Sequence, residues 1–279
     1  MKRILLTGGN GQLAKEIELK FKDIYDLVSL SKKDLDITDR NSVKSVLVNY
    51  KPDIVINAAA YTDVDACEIN SDLAYNINAH SIEHFAKFFR GLFVQISTDY
   101  VFDGQNGPYN ENSKTNPLGI YGKSKFLGEK NVKKLFNNYL IIRTNVLFGG
   151  NSKASFLNWI VQSLLAKKTI YVVEDQINNP VSIFDISHII KLLLIQKKTG
   201  LFHVGSDQLC SRFDFANMIA EVWNLEKKYI KPISTNQLKK KVKNYVAERP
   251  LRSGLMSAKK EIPNFSLEDS LIKIKLQNE

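Results

Sequence analysis

Tyr121 and Lys125 lie four residues apart in Tyr121-Gly122-Lys123-Ser124-Lys125, where a stretch of helical patterning begins. On a helix that interval puts both side chains on one face, roughly 6 Å apart along the axis. An ammonium beside a phenol stabilises the phenolate and pulls the tyrosine below its usual pKa of about 10. Such a pair can protonate a carbonyl oxygen while hydride reaches the carbon, and the lysine can also hold the ribose of a nicotinamide cofactor. The same spacing occurs on plain solvated helices, so its meaning depends on what surrounds it. Upstream, a strand-like run ends in Ser97-Thr98-Asp99-Tyr100-Val101-Phe102-Asp103-Gly104. Functional groups in open parallel sheets gather at the carboxyl ends of strands, which puts the Thr98 hydroxyl where a substrate carbonyl can be held. The alternative is that Ser97 and Thr98 only cap a turn.

Hydride chemistry needs a dinucleotide site, and the first residues of the chain offer one. The apolar run before Thr7 leads into Gly8-Gly9-Asn10-Gly11-Gln12-Leu13-Ala14 and then a helical pattern. A tight glycine turn lets the backbone approach a pyrophosphate, and the helix behind it presents unpaired N–H groups and the positive end of its dipole. Gly8 and Gly11 suit the turn, and Ala14 is small enough for close packing of helix on strand. Where a carboxylate would select NAD by taking the ribose hydroxyls, the chain has Ser31-Lys32-Lys33. Two ammonium groups attract a 2′-phosphate, so NADPH is the expected cofactor, with NADH also admissible; the alternative is that both lysines are simply solvated. Asp36 and Ile37 follow in a turn from which they can reach the adenine.

The elements that must carry these groups are legible in the hydrophobic pattern. Strands are predicted at Arg3 to Thr7, Leu27 to Leu30, Asp53 to Ala58, Leu92 to Ser97, Tyr139 to Thr144, Thr169 to Val173 and Leu201 to Val204. Amphipathic stretches separate most of them, the pattern of βαβ units in a parallel sheet covered by helices on both faces. The expected fold is α/β, a Rossmann-type doubly wound parallel sheet with a smaller C-terminal substrate-binding lobe. Residues 1–150 are assigned to the dinucleotide-binding domain, to which the segment 169–205 returns. Residues 151–279 then supply mainly the substrate lobe, with helices near Ser155 to Ala166 and Arg212 to Trp223 and short elements from Lys227 to Pro263.

Composition narrows the remaining classes. A chain of 279 residues with 44% hydrophobic residues can bury a substantial core, which argues against disorder. No run of 18 apolar residues occurs and the N-terminus enters a strand at once, so a cytoplasmic protein without a membrane partner is expected. The formal net charge of +10 invites a nucleic-acid reading. The lysines are spread along the whole chain, however, and the dense run Lys239, Lys240, Lys241 and Lys243 suits the solvated face of a helix, so no nucleic-acid partner is expected. Cys67 and Cys210 have no Cys or His neighbours at ligand spacing. His80 and His84 do stand four apart, but without a matching acidic partner, and no metal is assigned.

With these residues in place the chain resembles the dTDP-4-dehydrorhamnose reductase family of extended short-chain dehydrogenases/reductases along nearly its whole length. The motifs that carry the resemblance are residues 8 to 13, Leu-Asp-Ile-Thr-Asp at 35 to 39, Asn-Ala-Ala-Ala-Tyr-Thr-Asp-Val-Asp at 57 to 65, the segments 97 to 104 and 121 to 125, Arg143-Thr144, and Arg249-Pro250 with Ser253. The resemblance implies that Thr98, Tyr121 and Lys125 form the catalytic triad. It implies a cofactor site from Gly8, Asn10, Gly11, Gln12, Leu13, Ser31, Lys32, Asp36, Ile37, Ala58, Ala59, Tyr61 and Lys125, although Tyr61 could equally be a packed core aromatic. Asp99, Tyr100, Asn145 and Arg249 are assigned to a nucleotide-sugar substrate carrying a 4-keto-6-deoxy sugar, and a homodimer is left open. Departures fall on the substrate side: Val146 stands where the family has tryptophan, Asn178 where it has glycine, and Val181 where it has threonine. Reduction or epimerisation of another nucleotide keto-sugar is therefore an alternative, as is a non-catalytic regulatory subunit of the methionine adenosyltransferase type.

Overall fold

In the computed structural model, which describes residues 1–150 and 155–278, twelve strands and eleven α-helices follow one another along the chain. The strands are β1 (Arg3–Thr7), β2 (Asp26–Leu30), β3 (Ile54–Asn57), β4 (Leu92–Thr98), β5 (Tyr139–Thr144), β6 (Leu147–Phe148), β7 (Ile170–Val173), β8 (Ile177–Asn178), β9 (Val181–Ser182), β10 (Gly200–Val204), β11 (Cys210–Ser211) and β12 (Ile230–Ile233). The helices are α1 (Gln12–Phe21), α2 (Arg40–Tyr50), α3 (Val64–Ile69), α4 (Ser71–Tyr75), α5 (Ser81–Phe88), α6 (Ile120–Leu135), α7 (Phe156–Leu165), α8 (Ile183–Ile195), α9 (Arg212–Val222), α10 (Thr235–Lys241) and α11 (Leu267–Asn278). A π-helical turn, Asn76–His80, joins α4 to α5.

Six strands form one parallel sheet in the order β10-β5-β4-β3-β1-β2. Its strands are apolar at consecutive positions because both faces are covered, and the period of two divides their side chains between two cores. Ile4, Leu6, Ile54, Ile56, Leu140 and Ile142 point to the face packed by α1 and α8. Leu5, Val55, Phe93 and Ile141 point to the opposite face, with Val43 and Leu47 of α2 and Phe85 of α5. The chain runs from β1 outward to β2 and then back across β1 to β3. The crevice at that reversal, beyond the carboxyl ends of the strands, is where open α/β sheets bind ligands.

A third core lies outside the sheet and unites α7, α9, α11, β7 and β12 around Phe148, Phe215 and Leu271. Strand β7 pairs with β12 in this second unit, whereas β10 pairs with β5 and α8 packs on α1 in the first. The chain thus crosses to the second unit and back before returning to it with α9. The lobe boundary placed after residue 150 meets residues 151–154, which lie outside the described residues. Among the described residues, no helix is long and apolar enough to cross a membrane.

Candidate active site

Three consecutive residues at the end of β4 hold three successive turns of α6. The Ile96 carbonyl accepts a 2.7 Å hydrogen bond from Lys125 Nζ, and Ser97 Oγ donates to Glu129 Oε1 at 2.6 Å. Thr98 Oγ1 donates to Asp99 Oδ1 at 3.1 Å and acts on the Tyr121 phenol beside it. Glu129, fully buried, takes both Nε and Nη2 of Arg143 at 2.8 and 2.6 Å. Helix α6 can come this close because Gly122 has no side chain: a Cβ there would stand 2.2 Å from the Tyr100 carbonyl oxygen. Strand end and helix therefore carry the reactive groups on a rigid frame, which is what orientation-dependent chemistry needs.

These groups open into one cleft of about 700 Å³. Its floor at one end is the turn after β1. Gly8 has φ of +73°, and a Cβ there would meet Ala59 N at 2.9 Å, so glycine is required both for the turn and for the approach of the β3 loop. Gly11 caps α1 without a side-chain hydrogen bond, leaving the first-turn N–H groups directed at the cleft, and the buried Gln12 Oε1 has no partner. A cradle with unmet donors at a helix start fits a dinucleotide pyrophosphate. Asn10, Leu13, Lys32, Asp36, Ile37, Ala58 and Ala59 line the same end. Thr38 donates from both N and Oγ1 to Asp36, holding its carboxyl below the usual range.

Ser31, Tyr61 and Arg249, also assigned to the site from the sequence, do not line the cleft. Ser31 donates N and Oγ to Asp34 in a local turn beside Lys32. Tyr61 is tied through its backbone: its N–H donates to Asn78 Oδ1 and its carbonyl accepts from Asn78 Nδ2. Arg249 pairs with Asp65 and stacks over the Tyr245 ring at 3.8 Å. Asp99, Tyr100 and Asn145 do line the cleft, and so does Val146. His84 Nδ1 lies 3.1 Å from the Ile37 carbonyl oxygen, which accounts for one of the two paired histidines.

Burial dominates the electrostatics. Lys125 is 4% exposed, and desolvation brings its pKa down to about 8 against the opposing pull of Glu129. Asp99, 2% exposed, is pushed up to about 6 by burial, with Ser253 and Thr98 hydrogen bonds working the other way. The Tyr121 phenol is held above its ordinary value by burial, partly relieved by its bond to Thr98. The sequence reading that Lys125 lowers the pKa of Tyr121 is therefore corrected: in this geometry Lys125 is directed to the Ile96 carbonyl, and after burial the groups acting most on Tyr121 are Thr98, Asp99 and Tyr100. A neutral phenol held protonated remains able to donate to a developing alkoxide.

Several residues that build the site were not singled out by sequence. Glu129 stands one turn beyond Lys125, a four-residue interval that could have marked it. Asn78 gave no such signal, since it acts from the π-helical turn, where its Nδ2 donates to Ser124 Oγ at 3.0 Å. Arg212, the first residue of α9, projects into the cleft from the second unit.

Comparison with known proteins agrees with this geometry. The family model described as RmlD substrate binding domain matches residues 1–268. The spore coat polysaccharide biosynthesis protein SpsK of Bacillus subtilis is 36% identical over 231 residues, 81% of each chain. The dTDP-4-dehydrorhamnose reductase of Aggregatibacter actinomycetemcomitans is 34% identical over 230 residues, 77% of each chain. A crystal structure of the dTDP-4-dehydrorhamnose reductase of Bacillus anthracis in complex with NADP superposes with a TM-score of 0.92 at 34% identity, covering 99% of this chain and all of that one.

Proposed function

The chain belongs to the RmlD substrate-binding-domain family, and on that basis we propose that it is an NADPH-dependent reductase of the 4-keto group of a nucleotide-linked deoxysugar, converting dTDP-4-dehydro-L-rhamnose to dTDP-L-rhamnose. The observation that carries this reading is the clamp of Thr98, Tyr121 and Lys125 at the end of β4, opening into the same cleft as the Gly8–Gly11 turn. The bound dinucleotide supplies hydride to the keto carbon.

The residues of the chain do the rest. Thr98 Oγ1 and Tyr121 Oη line the same cleft and together can receive the carbonyl oxygen. Tyr121 gives its phenolic proton to that oxygen as negative charge develops, and Lys125 provides the nearby positive charge. Gly8, Gly11 and the start of α1 take the pyrophosphate, with Lys32 at the 2′-phosphate. Asp99, Tyr100 and Asn145 face the sugar. The division into a dinucleotide domain and a substrate lobe follows the three cores, with the substrate held between β4 and α9.

Oxidation of NADPH by the purified protein, supplied with freshly generated dTDP-4-dehydro-L-rhamnose, tests the proposal. Turnover with formation of dTDP-L-rhamnose supports it. Tight NADPH binding without turnover would move the substrate to a different nucleotide keto-sugar.

A further inference from the structure

Three arginines stand in or beside the cleft, and two of them have acids. Arg143 is paired with Glu129 and Arg249 with Asp65. Arg212 has no ion-pairing carboxylate among the described residues. The acid nearest in sequence, Asp214, is engaged in the capping box of α9, accepting from N and Oγ of Ser211. The acid across the cleft, Asp99, has its oxygens taken by Ser253 and Thr98. What Arg212 does contact is the Phe156 ring, 5.2 Å beneath its guanidinium, while its backbone N–H donates to the Gln176 carbonyl at 3.1 Å. Ring, helix start and backbone bond fix the side chain at the cleft wall without neutralising it.

A half-buried guanidinium in a cleft wall, with no salt-bridge partner, is completed by an anionic ligand. Its planar fork suits two oxygens of a phosphate or carboxylate. Position decides which part of a ligand it meets. Arg212 lines the same cleft as Thr98, Asp99, Tyr100 and Tyr121 but is carried by the other unit. A nucleotide sugar held with C4 at Thr98 and Tyr121 has its C1-linked diphosphate across the pyranose ring, away from those two residues, and Arg212 is the cleft-lining arginine with no acid of its own to meet it. The cleft wall also carries the buried Thr144 Oγ1 and Asn145 Oδ1, which have no hydrogen-bond partner and suit sugar hydroxyls.

We propose that Arg212 is the anchor for the diphosphate of the nucleotide-sugar substrate, contributed by α9 of the second unit to a cleft whose reactive groups come from β4 and α6. The assignment rests on the nucleotide-sugar reading above and names the residue that selects for the charged linkage. It makes Arg212 a binding residue for ground state and transition state alike, so its loss raises KM far more than it lowers kcat.

Calorimetric titration of the NADPH-loaded protein with dTDP, UDP and GDP, and with thymidine, tests the proposal in the wild type, Arg212→Met and Arg212→Gln. The expected result is that dTDP binds the wild type and is weakened about 10- to 100-fold in both variants. Thymidine and NADPH should bind all three proteins alike, the latter also reporting that each variant is folded. A nucleoside diphosphate that binds wild type and both variants equally overturns the proposal while leaving the nucleotide-sugar reading standing. If dTDP binding is unchanged but KM for the complete nucleotide sugar rises, the anion is on the sugar and the diphosphate assignment is wrong. If no nucleoside diphosphate binds the wild type although NADPH does, the nucleotide-sugar reading fails first.

Discussion

Replacing Lys125 with Met should abolish turnover and yet stabilise the protein. Lys125 is 4% exposed, and burial lowers its pKa from 10.5 to about 8. At about 1.4 kcal/mol for each tenfold change in proton affinity, that fall corresponds to about 3 kcal/mol of native-state cost. Methionine has similar length and flexibility and carries no charge, but it leaves the Ile96 carbonyl without its donor, a loss of about 1 kcal/mol. The net gain at neutral pH is then about 2 kcal/mol. Its pH dependence identifies the cause. Below pH 8 the lysine is charged in both native and unfolded chains, and the wild type bears the whole cost. Between pH 8 and 10.5 the unfolded chain binds the extra proton, so wild-type stability rises with pH relative to the variant. Urea denaturation of both proteins from pH 7 to 10.5, without added dinucleotide, should show the advantage of Lys125→Met shrinking across that interval. A variant less stable than wild type at pH 7, or a difference that stays constant with pH, would refute the reasoning.

Tyr121→Phe should lower kcat by about 10²- to 10⁴-fold with NADPH affinity unchanged, measured by single-turnover kinetics and fluorescence titration; undiminished turnover would remove Tyr121 from the proton-donor role. Lys32→Glu should move the ratio of kcat/KM for NADPH over NADH about tenfold toward NADH, and an unchanged ratio would mean that the Lys32 ammonium stays in water. Glu129→Ala leaves Arg143 buried, 2% exposed, without its acid, and should cost about 3 to 5 kcal/mol in denaturant unfolding. A loss under about 1 kcal/mol would show that solvent reaches the guanidinium in the variant.

What the sequence disclosed and what it concealed divide along a physical line. The six strands of the parallel sheet were legible because strands buried on both faces are apolar at consecutive positions, as in Ile4-Leu5-Leu6 and Ile54-Val55-Ile56, and because helical patterns separate most of them. The helices expected near Ser155 to Ala166 and Arg212 to Trp223 occur at Phe156–Leu165 and Arg212–Val222, the second begun by the Ser211–Asp214 capping box, which periodicity does not encode. Tyr121 and Lys125 were legible because a single helix fixes their relation. Partnerships between distant elements were not. Nothing local distinguishes Arg212, which has no salt bridge among the described residues, from Arg249, which pairs with Asp65 184 residues away. The same ignorance led to the expectation that Lys125 would acidify Tyr121: spacing puts the two on one face, but only the fold shows that the Ile96 carbonyl takes the ammonium. Chemistry carried by one element can be read from spacing, whereas the charge state of a buried group depends on which elements enclose it. Arg212 and Lys125 are opposite cases of that dependence. On the proposed reading, the first is a cation left for a ligand to complete, and the second a cation held at a cost for the reaction.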